Sequence, residues 1–589
     1  MRSFHFGRNS YRTSLKIIIG LQLISHSAQA LVSSYGGTND FNGVYINDAI
    51  GADAFYQDVF FGRNAIVANI EAGLVWNGHE ALQGRVSQQI FDPSITGQVD
   101  WHATMVGQAI AGNGQYTYQD GIAPQAQLWS GAIATNWVSE GGEYSNSFNI
   151  STLSLIHPYK TAMISGINGV RADVFNSSWG FSDPTGSDDF TVALDGMMRS
   201  SGVIGVFSAG NSGPSANTVG GPGSGYNGIT VGALTNTSTR PIYDQIADFS
   251  SRGGSDAFNP VTNQTVAGIR ATVDIVAPGD NLTLAFYGGV TGGHISGTDS
   301  TNGSGQFYIP NMAGTSFSAP IVAGAAALMV DAGKLYGIEE MTNALVIKAT
   351  MMASATPTQG WNNGQFTDSN QVIRTTQALD YAAGAGALNL DNAHQIYLGN
   401  SQLIGQSMYF SSNTNTMGIE GVVGGNDLAA SGWDYGQIQG GANLYTLAGT
   451  MQAGTQFSAV LTWYAARGFN VALDSVSDDA LSNLSLELWL LDQVAGDRLV
   501  GRSEAPWSSS EMLRFAIGET GEYQMRVVWD GFTYQASPST PTLTEYALAW
   551  SFDNSSLIAA IPETSSASLT IWASLFALRR RRPSRQIVS

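Results

Sequence analysis

The stretch NMAGTSFSAPIVAGAAALMVDAG, residues Asn311 to Gly333, opens with a glycine turn and runs straight into an apolar helix. From about Ser316 to Met329 the helix is apolar on every side, which predicts that it is buried. A polar pair, Thr315 and Ser316, marks the junction. The start of a helix exposes unpaired N–H groups and a partial positive charge. An isolated serine there is an ordinary cap. To serve as a nucleophile, Ser316 needs a histidine base and a pre-formed oxyanion site elsewhere in the chain.

Working outward, the region from about Asp40 to Leu398 alternates short β-branched runs with glycine-bounded helical stretches. NAIVANIEAG (Asn64 to Gly73), AQLWSGAI (Ala126 to Ile133), ADVFNSSWG (Ala172 to Gly180), VIGVFSAGN (Val203 to Asn211) and GITVGAL (Gly228 to Leu234) read as buried strands. Several are apolar on both faces, which predicts an α/β fold with a mostly parallel sheet covered by helices. Chemistry in such sheets collects where strands end in loops. After about Asn400 the runs NLYTLAGTMQ, FSAVLTWYAA, LSLELWLLDQ, EMLRFAI, EYQMRVVWDGF and EYALAWSF alternate and are separated by turn signals. They predict an all-β antiparallel sandwich with a supporting or polymer-binding role and no chemistry of its own.

The 589 residues allow more than one domain, and 43% apolar against 12% charged residues with 70 glycines describes a folded, turn-rich chain. There is no cysteine, which removes disulfides and thiolate metal sites from consideration. The net charge is -20, and residues 1–30 and 579–589 hold basic side chains without acids, so the body of the chain is more acidic still. Such a surface repels nucleic acid and suits solubility outside the cell.

Both ends read as addresses. A basic stretch, the apolar run IIIGLQLI (Ile17 to Ile24) and the small-residue site at Ala28-Gln29-Ala30 predict a secretory signal peptide over residues 1–30. The end, with Pro562-Glu563, about a dozen mostly apolar residues and Arg579 to Arg582, resembles a PEP-CTERM sorting signal, although Thr564 stands where that motif has proline. The resemblance implies an exosortase-type processing enzyme, transient membrane attachment through the tail, and an extracellular or cell-surface location in a Gram-negative bacterium. The expected organisation is therefore a signal peptide at 1–30, a catalytic domain at 31–398, a sandwich at 399–553 and a sorting tail at 554–589.

Of the seven histidines, His5 and His26 fall in the signal peptide, leaving His79, His102, His157, His294 and His394. His102 opens HATMVGQAIAG, a helix whose Ala103, Gly107, Ala109 and Ala111 permit close packing. Taken alone, a histidine at a helix start is usually structural. Asn211, after a buried strand, could donate to an oxyanion but taken alone is more often a turn former.

Taken together, these segments resemble the subtilisin-like serine proteases. GTSFSAP (Gly314 to Pro320) is similar to the family's nucleophile motif, HATMVG at His102 to its histidine motif, and SAGN (Ser208 to Asn211) to its oxyanion strand. GIAPQAQLW from Gly121, NSSWG from Asn176, ADFSSRG from Ala247 and VDIVAPGD from Val273 follow in the same order. The resemblance implies a serine endopeptidase acting on protein or peptide substrates, with Ser316 as nucleophile, His102 as general base and the Asn211 amide as oxyanion donor. The family carries aspartate, then serine or threonine, at the end of its first core strand. Here VANIEAGLVWNGHEAL places Glu71 in the acid position and Ala72 after it. Glutamate serves this role in hydrolases of another fold. The sedolisins also use glutamate, but they lack the histidine and have aspartate where Asn211 stands. Asp100, two residues before His102, reads as a solvated loop acid.

The resemblance further implies that an extended peptide pairs with Ser178-Trp179-Gly180. It makes TVGGPG, from Thr218, the wall of a specificity pocket in which Gly220 and Gly221 leave room and no acid selects a basic side chain. An apolar or broad preference follows. No cofactor is required for catalysis. Structural calcium is compatible with the family, and Asp183, Asp188 and Asp189 are loop carboxylates, but no segment has ligand spacing that assigns a site. The alternative from another class is a catalytically impaired subtilase-fold surface protein with a binding or adhesive role. The stretch between Ala30 and Glu71 is too short for the folding pro-domain that many subtilases carry.

Overall fold

The computed structural model describes residues 45–553, apart from 114–119, 138–147, 238–239, 288–292, 294–307, 400–409, 413–420, 423–427 and 538–542. The expected signal peptide, the sorting tail and His294 lie outside the described residues.

The first half is built on one twisted sheet. Its strands are β1 (Ile66–Glu71), β2 (Val86–Ile90), β3 (Gln127–Ala132), β4 (Val174–Ser177), β5 (Ile204–Ser208), β6 (Ile229–Thr237), β7 (Arg240–Ile246) and β8 (Ile275–Pro278). They lie in the order β8-β6-β5-β4-β1-β3-β2, every neighbouring pair parallel, with β7 antiparallel to β6. The five apolar runs read from sequence form β1, β3, β4, β5 and β6. They are buried on both faces because helices cover both. On one face Val67, Leu128, Val174 and Val206 meet α1 (Trp101–Ala111) and, later in the chain, α3 (Thr315–Tyr336), and α4 (Ala344–Ser354) belongs to the same core. On the other, Ala68, Ile70, Trp129 and Phe175 pack on α2 (Asp189–Ser201) and the 152–165 helical segment.

The central helix α3 is longer than its apolar run suggests, and 94% of its most apolar window is buried. It is long and apolar enough to cross a membrane but serves here as the core of the fold. It ends at Gly337, whose φ of 68° terminates the last turn in the left-handed conformation.

The second half is two antiparallel sheets with a shared core. One runs through Ala442–Thr446, Glu522–Gln535, Ser475–Leu491 and Arg498–Ser503; the other through Ser431–Ile438, Thr544–Asp553, Gln456–Trp463 and Ser510–Ala516. Leu484, Leu486, Leu488 and Met525 of the first face Phe457, Leu461, Leu548 and Trp550 of the second. The hairpin Phe366–Thr367 and Ile373–Arg374 joins the first sheet through parallel pairing of Ile373 with Gly501, so this edge comes from chain assigned by sequence to the preceding domain. The back of the second sheet lies on α4. Ser458 and Thr462 hydroxyls donate to the Ala353 and Leu345 carbonyls, and Val460, Met512 and Ala549 continue the α/β core.

Candidate active site

Strand period fixes where the acid points. Side chains of β1 alternate, so Asn69 and Glu71 share the α1 side; Asn69 donates to the Ala103 carbonyl at 3.1 Å. Glu71 is the last residue of β1, 1% exposed, with both carboxylate oxygens engaged. Oε2 lies 3.1 Å from His102 Nδ1, and Oε1 accepts the Ser178 N–H at 2.8 Å. An ionised carboxylate only accepts, so Nδ1 carries the ring proton and Nε2 keeps a free lone pair.

His102 is the second residue of α1, its side chain about a quarter exposed. Burial pulls its pKa down. The hydrogen bond and charge of Glu71, with the charge of Asp100, outweigh that, and the net displacement is upward. The ring packs tilted against Phe317, centroids 5.7 Å apart. The other described histidines serve elsewhere: His79 accepts from the Ala81 N–H, His394 pairs with Asp58, and His157 lies in the last turn of the Thr152–Lys160 helix.

Asp100 is not the solvated loop acid read from sequence. It is 1% exposed and caps α1, accepting the His102 and Ala103 N–H groups at 3.2 and 3.3 Å. Its carboxylate is thereby committed to the backbone side of His102 and leaves the ring nitrogen to Glu71. Burial, above all, pushes its carboxyl up to about 6, helped by the charge of Glu71 and opposed by His102 and the two backbone donors.

Ser316 is the second residue of α3, after Gly314 at φ 155°. Its hydroxyl donates to the Ser178 carbonyl at 3.1 Å. No hydrogen bond joins it to His102 among the described residues, so the contact expected between base and nucleophile is not made in this state. Such contacts are often loose before substrate binds. Asn211 is oriented by a residue whose role sequence reasoning missed: Thr315 N–H and hydroxyl donate to Asn211 Oδ1 at 2.9 and 3.0 Å. With the oxygen occupied, Nδ2 faces the helix start, 3.5 Å from where a Cβ on Gly314 would lie. The signal was present in the polar pair Thr315-Ser316.

These residues border a cleft of ≈ 550 Å³ whose lining includes Ser178, Trp179, Gly180, Asn211, Gly220 and Ser316. All four residues expected to bind substrate are therefore brought together. Two expectations about this cleft fail. Gly220 and Gly221 do not leave room in it. A Cβ on Gly220 would collide with the Phe181 carbonyl, and one on Gly221 would lie 2.8 Å from the Phe181 ring and from Thr191 Oγ1. Glycine is needed because the 220–221 backbone runs against the 180–181 backbone, where Phe181 N–H donates to Gly221 O at 2.8 Å. The lining also contains an acid, Asp183. It is folded onto its own loop, accepting from Thr185 and Thr191 hydroxyls and from the Ser187 and Asp188 N–H groups. Asp188 in turn caps α2. Among the described residues no group of three or more His, Asp or Glu is placed to hold a metal ion.

Compared with known proteins, residues 62–386 match the family described as Peptidase_S8, subtilase family. Bacillopeptidase F of Bacillus subtilis (strain 168) is 25% identical over 371 residues, covering 59% of this chain and 23% of that protein. Subtilisin E of the same organism is 26% identical over 358 residues, 59% of this chain and 70% of that protein. A solved structure of the prenylagaramide maturation protease PagA is 22% identical with a TM-score of 0.42, covering 60% of this chain and 99% of that one.

Proposed function

The chain belongs to the subtilase family, and on that premise we propose that it is a serine endopeptidase that cleaves protein or peptide substrates through a Glu71–His102–Ser316 triad. The observation that supports this most is the carboxylate of Glu71, held between His102 Nδ1 and the Ser178 N–H at 3.1 and 2.8 Å. Glutamate thus does here what aspartate does in the family, while Asp100 is occupied by backbone donors.

On this reading an extended peptide pairs with residues 178–180. A substrate N–H that takes the Ser178 carbonyl displaces the Ser316 hydroxyl, freeing it for His102. As Oγ attacks the scissile carbonyl carbon, Nε2 removes its proton, and Glu71 stabilises the resulting imidazolium. The oxyanion receives the Ser316 N–H and Asn211 Nδ2, each worth about 3–4 kcal/mol in comparable sites. His102 then gives its proton to the leaving amine as the C–N bond breaks. Water, deprotonated by the same nitrogen, attacks the ester and restores the serine. No cofactor takes part in these steps. Because Asp183 is spent on its own loop, the cleft carries no free carboxylate to select lysine or arginine, and the preference is apolar or broad. Cleavage profiling dominated by basic residues would overturn that.

Labelling with a fluorophosphonate, with casein hydrolysis alongside, tests the proposal. The wild type should be labelled and active, and Ser316→Ala should be neither. One observation favours a second reading, an impaired scaffold with a binding role: the Ser316 hydroxyl rests on Ser178 and not on His102. Absence of Ser316-dependent labelling would establish that reading instead. Export through residues 1–30, and surface attachment after exosortase-type processing of the tail, complete the proposal. An exported protein whose first residue is not Leu31 would contradict the assigned signal peptide.

A further inference from the structure

The second half of the chain reaches the wall of the cleft. Strand β9 (Ala466–Asn470) lies across α2 so closely that a Cβ on Gly196 would stand 2.5 Å from the Gly468 carbonyl carbon and 2.6 Å from the Phe469 nitrogen. From this strand Arg467, 2% exposed, enters the α/β half. Its Nη1 donates to the Gly186 carbonyl at 2.6 Å and to Asp195 of α2 at 3.0 Å; its Nη2 donates to Asp478 at 2.8 Å.

Both partners on the α/β side lead to the cleft. Gly186 belongs to the 183–188 loop, whose Asp183 and Pro184 line it. Asp195 accepts the Tyr226 and Asn227 N–H groups at 2.9 and 3.0 Å, and so anchors the loop that begins at the lining residues Gly220 and Gly221. The two loops are tied to each other by Arg270, which donates to the Thr185, Ser224 and Gly225 carbonyls. The Tyr226 ring lies between the two guanidinium groups, 3.9 Å from that of Arg270 and 4.8 Å from that of Arg467. The sandwich adds two more holds on the same loop. Ala465 exchanges backbone hydrogen bonds with the Asn227 amide, and the Ser509 hydroxyl donates to the Tyr226 carbonyl at 2.9 Å.

We propose that Arg467 is a positioning residue for substrate selection, a side chain of the sandwich that sets the spacing of the two loops forming the specificity pocket beside Ser316. The assignment rests on the peptidase reading above. The planar guanidinium satisfies the loop carbonyl and two carboxylates at once, in one fixed plane. A lysine ammonium keeps the charge but not the fork, so it cannot hold all three in register. The pocket then loosens while the triad, held by β1 and α1, stays in place.

The test uses the full chain and compares Arg467→Lys, Ser509→Ala and, as an interface control, Asp474→Asn. Asp474 pairs with Lys160 across the same interface but touches neither loop. Steady-state kinetics are measured on two peptide anilides that differ only in phenylalanine or glycine before the scissile bond, with the fluorophosphonate labelling rate measured in parallel. Arg467→Lys should raise KM for the phenylalanine substrate about fivefold or more, with less than about a twofold change for the glycine substrate and for labelling. Ser509→Ala, which disturbs no buried charge, should shift the same ratio about twofold to threefold, so the proposal stays testable if Arg467→Lys does not fold. Asp474→Asn should leave the ratio unchanged. Equal changes for both substrates, no change in either loop variant, or a control that reproduces the shift would overturn the proposal. Loss of labelling in the wild type would instead overturn the peptidase reading, and this assignment with it.

Discussion

Glu71→Gln removes one charge and almost no volume, so it isolates the electrostatic task of the acid. The carboxylate lies 3.1 Å from Nδ1, roughly 5 Å from the centre of an imidazolium. At an effective dielectric of about 20 the attraction is about 3 kcal/mol, or on the order of a hundredfold in rate. A second loss follows from the tautomer. The introduced amide would keep its oxygen on the Ser178 N–H and turn its NH2 towards the ring. Nδ1 then becomes the acceptor, and Nε2 holds the proton that it should be removing from Ser316. Together these predict a fall of about 10⁴ in kcat, the size of loss that acid-to-amide and acid-deletion variants show in other serine proteases. The pH profile gives an independent sign. His102 sits above its ordinary 6.5 because Glu71 and Asp100 outweigh burial. Activity needs the neutral ring, so the acid limb of kcat/KM lies above 6.5 in the wild type and moves down in Glu71→Gln. Peptide-anilide kinetics from about pH 5 to pH 9 measure both effects. A loss smaller than tenfold, or a limb that moves upward, would refute Glu71 as the orienting acid.

Three further variants probe the supports of the site. Asp100→Asn keeps one of the two oxygens that cap the helix and removes a charge that raises His102, so the acid limb should shift down with kcat on the plateau within about threefold; an upward shift contradicts this. The same variant has a stability signature. A carboxyl raised from 3.8 to about 6 in the folded state contributes stability that is complete below 3.8 and lost as pH rises through about 6. Calorimetry should therefore find the variant gaining on the wild type as pH rises from about 4 to 7, by at most about 3 kcal/mol, and a constant difference would count against it. Gly196→Ala should cost about 1–3 kcal/mol, read as a lower Tm, because its methyl group meets the Gly468 and Phe469 backbone; an unchanged Tm would show that the two halves are not in register there. Asp331→Asn should cost about 2–4 kcal/mol. Its carboxylate accepts four backbone N–H groups of residues 61–64 and the Asn64 amide, and an amide at 331 would oppose donors with donors. Calorimetry showing no loss would contradict that role.

Much of the site was legible because its signals are local. Apolar runs bounded by glycines give the parallel strands, and a helix apolar on every side has to be central. Ser316, His102 and Asn211 each stand at a strand end or helix start. Asp100 was misread although a local signal existed: an aspartate directly before a helix start is an N-cap. Its place two residues before His102 suggests the ring as its partner, whereas its carboxylate turns to the backbone. Asp183 was missed in the cleft for a different reason. The 183–188 and 218–221 loops are adjacent only after β4 and β5 pair. Glycines 220 and 221 were rightly singled out, but for space, when their function is close backbone approach.

The linear chain alone carried the strand-and-helix succession and the types of reactive group, because hydrophobic period and capping preference act over a few residues. Tertiary folding decided which carboxylate meets the imidazole, where the second oxygen of Glu71 goes, and how Thr315 turns the Asn211 amide. It also decided that an arginine some 280 residues further along the chain, Arg467, donates to the Gly186 carbonyl of a loop beside the cleft. Those outcomes depend on distances between segments remote in sequence. No local propensity encodes such a distance. It is set by sheet register and by the packing of two cores against the same helices.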